Sequence, residues 1–271
     1  MTTPRQVTAL AAVLLAPNPG PMTLEGTNTW LLRAPGEPGC IVVDPGPDDP
    51  GHLAATAAAG PVELILLTHG HPDHSAGAAS LHQLTGAPVR ALDPAHRLGS
   101  AGLAAGDVLA LLGVELRVLP TPGHTSDSLS FLLAGDERDA TAGVGTGPAV
   151  LTGDTVLGRG TTVVAHPDGR LADYLDSLRL LRELGETTVL PGHGPELPAA
   201  GAAAQLYLEH RAARLAQVRD ALSELGTTAA AADPAEVVRR VYAEVDRALW
   251  PAAELSVRAQ LDYLATQPDM P

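Results

Sequence analysis

The run Thr68-His69-Gly70-His71-Pro72-Asp73-His74 follows directly on the apolar stretch Val62 to Leu67. No other feature constrains the chain so strongly. Val62 to Leu67 is rich in Ile, Leu and Val and is led in by Gly60-Pro61, so it reads as a buried strand. The polar run then falls in a loop at the strand's C-terminal end, where open α/β layers gather their ligands. Imidazole and carboxylate are the nitrogen and oxygen donors that zinc takes.

Three more residues of the same chemistry stand in the same local context. His124 follows Leu119-Pro120-Thr121-Pro122-Gly123, Asp154 follows Val150-Leu151-Thr152-Gly153, and His193 follows Val189-Leu190-Pro191-Gly192. Each time an apolar strand ends in a Gly placed directly before the donor, and Gly lets backbone turn sharply close to an ion. His69, His71, Asp73, His74, His124, Asp154 and His193 are too many donors for one tetrahedral ion and the right number for two with a bridging carboxylate. The expected division is His69, His71 and His124 on one ion, Asp73, His74 and His193 on the other, and Asp154 between them. His52, His82, His96, His166 and His210 are read as bystanders, with His166 at the rim.

The rest of the chain reads as strands alternating with helices. Strands are expected over 6–15, 28–33, 39–43, 62–67, 88–92, 108–111, 114–119, 129–133, 149–152 and 188–190, with a hairpin loop over 135–147. Helices are expected over 52–59, from a Ser75 cap to about Thr85, and over 172–184. Two separate runs of strands imply two sheets with helices outside. From Pro198 the pattern becomes helical: a long helix over 199–223, a start signalled by Asp233-Pro234-Ala235-Glu236, and a last helix over 253–266. The expected domains are therefore 1–198, carrying the metal donors, and a small helical unit, 199–271.

Composition narrows the partners. The 271 residues are 45% hydrophobic and 18% charged, enough for a packed core. Every basic residue is Arg, and the net charge of −14 disfavours non-specific attraction to phosphate polymers or anionic membranes. The single Cys40 allows no intrachain disulfide and fits a cytoplasmic location. Leu10 to Ala16 is a short apolar run that a secretory signal or a first strand could use; the strand is expected, because Asn18-Pro19-Gly20-Pro21 follows as a turn, and no stretch reaches the length of a membrane span.

These motifs resemble the metallo-β-lactamase-fold hydrolase superfamily. The resemblance covers residues 6–198 and implies an αββα sandwich with two metals at one edge of the sheets. Gly26-Thr27-Asn28-Thr29-Trp30, Pro122 to Ser128, Gly153 to Thr162 and Tyr207 to Arg211 are similar to the β-lactamase-like protein 2 subgroup. That likeness implies cleavage of single-stranded RNA and a C-terminal winged-helix-like domain, here truncated, with little chain left for a β-wing. The lack of a Cys among the donors separates the chain from the main class of binuclear β-lactamases. His71 separates it from oxygen-reducing di-iron relatives, which use Glu there. The interval from Asp154 to His193 is too short for the inserted domain of other nuclease groups.

The resemblance and the donor set imply two Zn2+ ions, with Mn or Fe also accepted by the same ligands. Paired cations ionise a shared water near neutral pH, and Asp73 orients it. The donors do not choose between phosphoryl and carbonyl substrates, so specificity falls to the loops: Thr27, Asn28, Thr125, Arg159, Thr161, Thr162 and Tyr174 are the substrate candidates. The competing substrate class is an ester or thioester, as for glyoxalase II. A metal-binding module without turnover is the third reading, and the helical tail can serve dimerisation or substrate enclosure.

Overall fold

A computed structural model describes residues 3–135 and 147–266. Two sheets carry the fold. The first has six strands in the order β1 (Arg5–Gln6), β2 (Ala11–Leu15), β3 (Asn28–Leu32), β4 (Cys40–Val43), β5 (Val62–Leu66) and β6 (Val89–Arg90). β1 to β4 pair antiparallel, and β4, β5 and β6 run parallel. The second has five strands, β7 (Val108–Leu111), β8 (Val114–Pro120), β9 (Leu129–Leu133), β10 (Ala149–Gly153) and β11 (Thr188–Pro191), with only β10 and β11 parallel.

Side-chain alternation along the strands explains the layering. In β4, Ile41 and Val43 face the second sheet, where they meet Leu116, Val118, Phe131 and Leu151. Cys40 and Val42 face the other way, against Leu53 of α1 (Pro50–Ala58) and Leu81 of α3 (Ala78–Thr85). On the outer face of the second sheet, Val150 and Val189 pack with Tyr174 and Leu178 of α4 (Leu171–Arg182). Both sheets are therefore covered on two faces, and every residue of β3, β4 and β10 is buried. The expected four-layer αββα sandwich is the observed architecture.

Beyond it, α5 (Ala200–Leu225), α6 (Pro234–Val241) and α7 (Trp250–Thr266) form the C-terminal helical region. Asp233 caps α6 as its sequence predicts, accepting the Ala235 amide at 2.9 Å. Ala204, Tyr207, Val218, Val237 and Val257 share one apolar cluster with Tyr174 of α4. The core thus runs without a break across residue 198.

Several expected boundaries shift for local reasons. The strand over 6–15 is two strands, because the Thr8 hydroxyl accepts the Leu10 and Ala11 amides and closes a turn. α1 begins two residues before His52, because Asp49 accepts the His52 amide at 2.7 Å and Pro50 fills the first turn. Ser75 caps nothing: its hydroxyl donates to Gly70 O at 2.9 Å, and the expected helix splits into α2 (Pro72–Ser75) and α3. The strand over 88–92 shortens to β6. Most of the hairpin loop over 135–147 lies outside the described residues.

Candidate metal centre

The seven expected donors come from five places that the fold brings to one edge of the sandwich. His69 and His71 leave the end of β5, and Asp73 and His74 sit in α2. His124 lies between β8 and β9, Asp154 follows β10, and His193 follows β11. Pro72 fixes the first turn of α2 and the His74 amide donates to His71 O at 3.0 Å, so the short helix packs its donors against β5. The seam between the sheets is sewn at the same point. Asn28 donates its amide to Gly192 O at 2.8 Å and its side chain to Pro191 O and Gly194 O at 3.0 and 2.9 Å.

Three overlapping groups of donor atoms result: His69, His71 and His124; His69, His74 and Asp154; and Asp73, His74 and His193. His71 Nδ1 is 3.1 Å from His69 Nε2 and 2.9 Å from His124 Nε2. In the other half, His74 Nε2 is 3.1 Å from His193 Nε2, and His193 Nε2 is 3.1 Å from Asp73 Oδ2. Asp154 stands between the halves, with Oδ1 3.3 Å from His74 Nε2 and Oδ2 3.7 Å from His124 Nε2.

The hydrogen bonds on the far side of each ring assign the tautomers. His124 Nδ1 donates to Val163 O at 2.6 Å and His193 Nδ1 to Gly26 O at 3.1 Å. His74 Nδ1 donates to Asp44 Oδ2 at 2.9 Å. The Thr68 hydroxyl gives its proton to Asp44 Oδ2 at 2.7 Å, so it accepts from His69 Nδ1 at 3.0 Å. Each of these four rings, when neutral, turns an Nε2 lone pair inward.

Lone pairs and carboxylates facing one another at these distances repel unless a cation or a proton lies between them. Asp154 Oδ1 makes the point: it is buried, close to two imidazoles, and aligned with neither as a hydrogen-bond acceptor. The donor set fits divalent metal. Gly192 leaves the room, since a Cβ there would lie 2.7 Å from Asp154 Oδ1 and from His74 Cε1.

The two halves differ electrostatically. Burial, with His74 and His124 nearby, pushes His69 well below the ordinary imidazole range. Burial also opposes charge on His74, but the Asp154 and Asp44 carboxylates outweigh it and hold that ring well above its usual value. His193 is likewise raised, to about 9, as Asp154 and Asp73 overcome burial. Burial disfavours ionised Asp154, yet His74 and His193 keep its carboxyl well below the usual range.

Residues 22–193 match the family model of the metallo-beta-lactamase superfamily. The chain belongs to the metallo-β-lactamase superfamily. Like other members of that superfamily it is a metal-dependent hydrolase, and residues 234–267 match the beta-lactamase associated winged helix domain. A beta-lactamase-like protein 2 homolog from Caenorhabditis elegans is 31% identical over 269 residues, covering 93% of this chain and 82% of its own. An atrochrysone carboxyl ACP thioesterase from Aspergillus fumigatus is 32% identical over 243 residues, 84% and 72% of the two chains. The crystal structure of a beta-lactamase domain protein from Burkholderia ambifaria superposes with a TM-score of 0.77 at 24% identity, over 97% of this chain and 88% of that one. Among the described residues no helix is long and apolar enough to cross a membrane.

The substrate candidates fall into two sets. Thr161 is exposed, Arg159 half exposed, and both line a cavity of about 280 Å3 that starts at His124 and Asp154 and ends against α5 to α7. Arg159 is paired with Glu25 at 2.5 Å. Thr162 lines the same cavity, but its hydroxyl donates to Asp154 O at 2.7 Å. Thr27, Asn28, Thr125 and Tyr174 are buried. Thr27 is clamped to Asn18 through its amide and hydroxyl. Thr125 bonds Asp127 at 2.7 Å, and the Tyr174 hydroxyl donates to Thr155 O at 2.7 Å. These four hold the loops that hold the donors.

Asp44 and Thr68 escape the sequence reading altogether. The signal was present in Asp44-Pro45-Gly46, an acidic residue ending an apolar strand, but it reads equally as a turn.

Proposed function

We propose that the protein is a dinuclear metallohydrolase that cleaves a small acyl ester or thioester. The observation that carries this reading is the cavity of about 280 Å3 that has His124 and Asp154 in one wall. Much of its remaining surface is apolar, contributed by Met22, Leu24, Leu157, Val245 and Leu249. A chamber of that size and lining suits an acyl chain better than a polynucleotide. His71 itself lines a second cleft of about 220 Å3 edged by Asp93, Asp127 and Asp168, whose charge repels a phosphodiester backbone.

His69, His71 and His124 would hold one cation, Asp73, His74 and His193 the other, with Asp154 shared. Zinc fits these donors, and manganese or iron is compatible with them. Bound there, the cations supply a hydroxide at neutral pH and offset charge developing on the carbonyl oxygen. The chain's own residues do the rest. The Asp44–Thr68–His69 and Asp44–His74 hydrogen bonds hold two rings in their metal-binding tautomers. Asp73 has the more exposed carboxylate of the two among the donors, and it orients the attacking water. The apolar wall places the acyl group and keeps bulk water away from it. The single free Cys40 is buried and asks for no oxidising compartment, in keeping with a cytoplasmic site of action.

The test is a substrate panel on metal-quantified protein: acyl thioesters, esters, lactones and single-stranded RNA. Turnover of acyl compounds is expected. Cleavage of RNA with no acyl turnover would reject this reading in favour of the ribonuclease activity that the family resemblance implies.

A further inference from the structure

The far wall of the same cavity carries an unbalanced charge. His210, Arg211 and Arg214 of α5 line it, and Arg214 is the helical neighbour of each of the other two, four and three residues on. Arg211 is only 2% exposed, and its Nε has no hydrogen-bond partner among the described residues. Its Nη2 donates to Thr162 O, and its guanidinium lies 5.0 Å from the Tyr174 ring centroid. Arg214 donates to Val241 O and Gln217 Oε1 and covers the Tyr242 ring. Among the described residues no carboxylate lies within ion-pair distance of Arg211 or Arg214, in a protein whose net charge is −14.

A buried guanidinium without an anion is costly, and proteins ordinarily pair it. With acidic residues outnumbering basic ones 31 to 17, the lack of a partner on this wall is not for want of carboxylates. The missing counter-charge is then one that a ligand brings.

We propose that the cavity binds the distal anionic group of its substrate, a carboxylate at the end of a short acyl chain, against Arg211 and Arg214. This rests on the acyl-hydrolase reading above and extends it to a substrate class: a half-thioester or half-ester of a dicarboxylic acid. The acyl carbonyl would sit at the His124 and Asp154 end, the methylene chain along Leu157 and Leu249, and the free carboxylate at α5. Arg211 and Arg214 are the specificity residues.

Two measurements on the full, metal-loaded chain decide the matter. The first compares kcat/KM for a glutaryl thioester, which ends in a carboxylate, with that for the matched neutral pentanoyl thioester. The second uses calorimetry to compare binding of the amide analogues N-butyl glutaramate and N-butyl pentanamide, so that binding is read without turnover. The anionic member of each pair is expected to win by at least about tenfold, the size of one charge-assisted contact. The ratio should fall towards one in Arg211→Gln and in Arg214→Gln, and persist in part in Arg211→Lys. Should Arg211→Gln not fold, the half-buried Arg214 carries the test.

Equal ratios in the wild type would overturn the proposal. So would an anionic preference that survives both Gln substitutions, because the carboxylate would then be held by the metals. Charge-dependent binding without hydrolysis of either thioester would keep the anion site and reject the acyl-hydrolase reading. Hydrolysis without charge preference would do the reverse.

Discussion

One oxygen of Asp44 serves two donors: Oδ2 accepts from His74 Nδ1 at 2.9 Å and from the Thr68 hydroxyl at 2.7 Å. Asp44 is 1% exposed and is held at φ 53°, a left-handed conformation that side chains rarely adopt. Through Thr68 it also fixes His69, so one buried carboxylate orients a ring in each half of the centre.

Asp44→Ala should therefore weaken metal binding about 10- to 100-fold, as loss of an outer partner does elsewhere. It should also cost about 2–3 kcal/mol of stability, because buried donors are left unpaired. Metal content by mass spectrometry and a urea melt measure the two effects. Full metal occupancy in the variant would remove Asp44 from the positioning role.

Asp73→Ala is expected to abolish turnover while circular dichroism and melting temperature stay close to the parent's. Its carboxylate lies at the open edge, 29% exposed, where little packing is lost. Chelation of the metal-loaded protein should lower the melting temperature and re-addition should restore it.

Gly123→Ala should destabilise by at least about 2 kcal/mol and loosen His124. Gly123 sits at φ 134°, and a Cβ there would overlap the Tyr174 backbone at the start of α4. A variant with parental stability and metal content would show that the loop can re-form another way.

Tyr174→Phe separates support from recognition. The hydroxyl's bond to Thr155 O is worth about 1 kcal/mol, so a small stability loss is expected with substrate preference unchanged. A shift in KM without a stability change would return Tyr174 to the substrate contacts.

His52 sets a pH dependence away from the metal centre. Burial lowers its pKa from the ordinary 6.5, with Asp49 opposing in part, and its Nε2 lies 2.9 Å from the Thr29 hydroxyl. Above pH 6.5 the ring is neutral folded and unfolded, and it adds no slope. Below it the unfolded chain binds the proton first, so stability falls as pH falls through that value and towards the lowered folded one. Urea melts of His52→Gln between pH 5 and 7 should show a shallower acid loss than the parent.

The candidate donors stand out locally, because His69, His71, Asp73 and His74 crowd the end of one apolar strand while His124, Asp154 and His193 each follow an apolar strand and a Gly. The sandwich was legible because β3, β4, β5 and β10 are apolar enough to need cover on both faces. What escaped was anything settled by partners distant in sequence. Asn28 looked like a substrate contact, yet its side chain binds carbonyls 163 and 166 residues away. Asp44 looked like punctuation until folding placed Thr68 and His74 beside it. Ser75 looked like a cap, but only the turn at Gly70 decides where its hydroxyl goes.

The long helix α5 has a mechanical consequence. Tyr207 accepts the Leu157 amide at 3.0 Å, and Arg211 grips Thr162 O, so two side chains of one rod splint both ends of the segment downstream of Asp154. Cutting the polypeptide before this rod would leave the segment unbraced and the chamber without its back. The sandwich and its helical appendage share one core, so a fragment that stops before α5 is expected to lose both braces together.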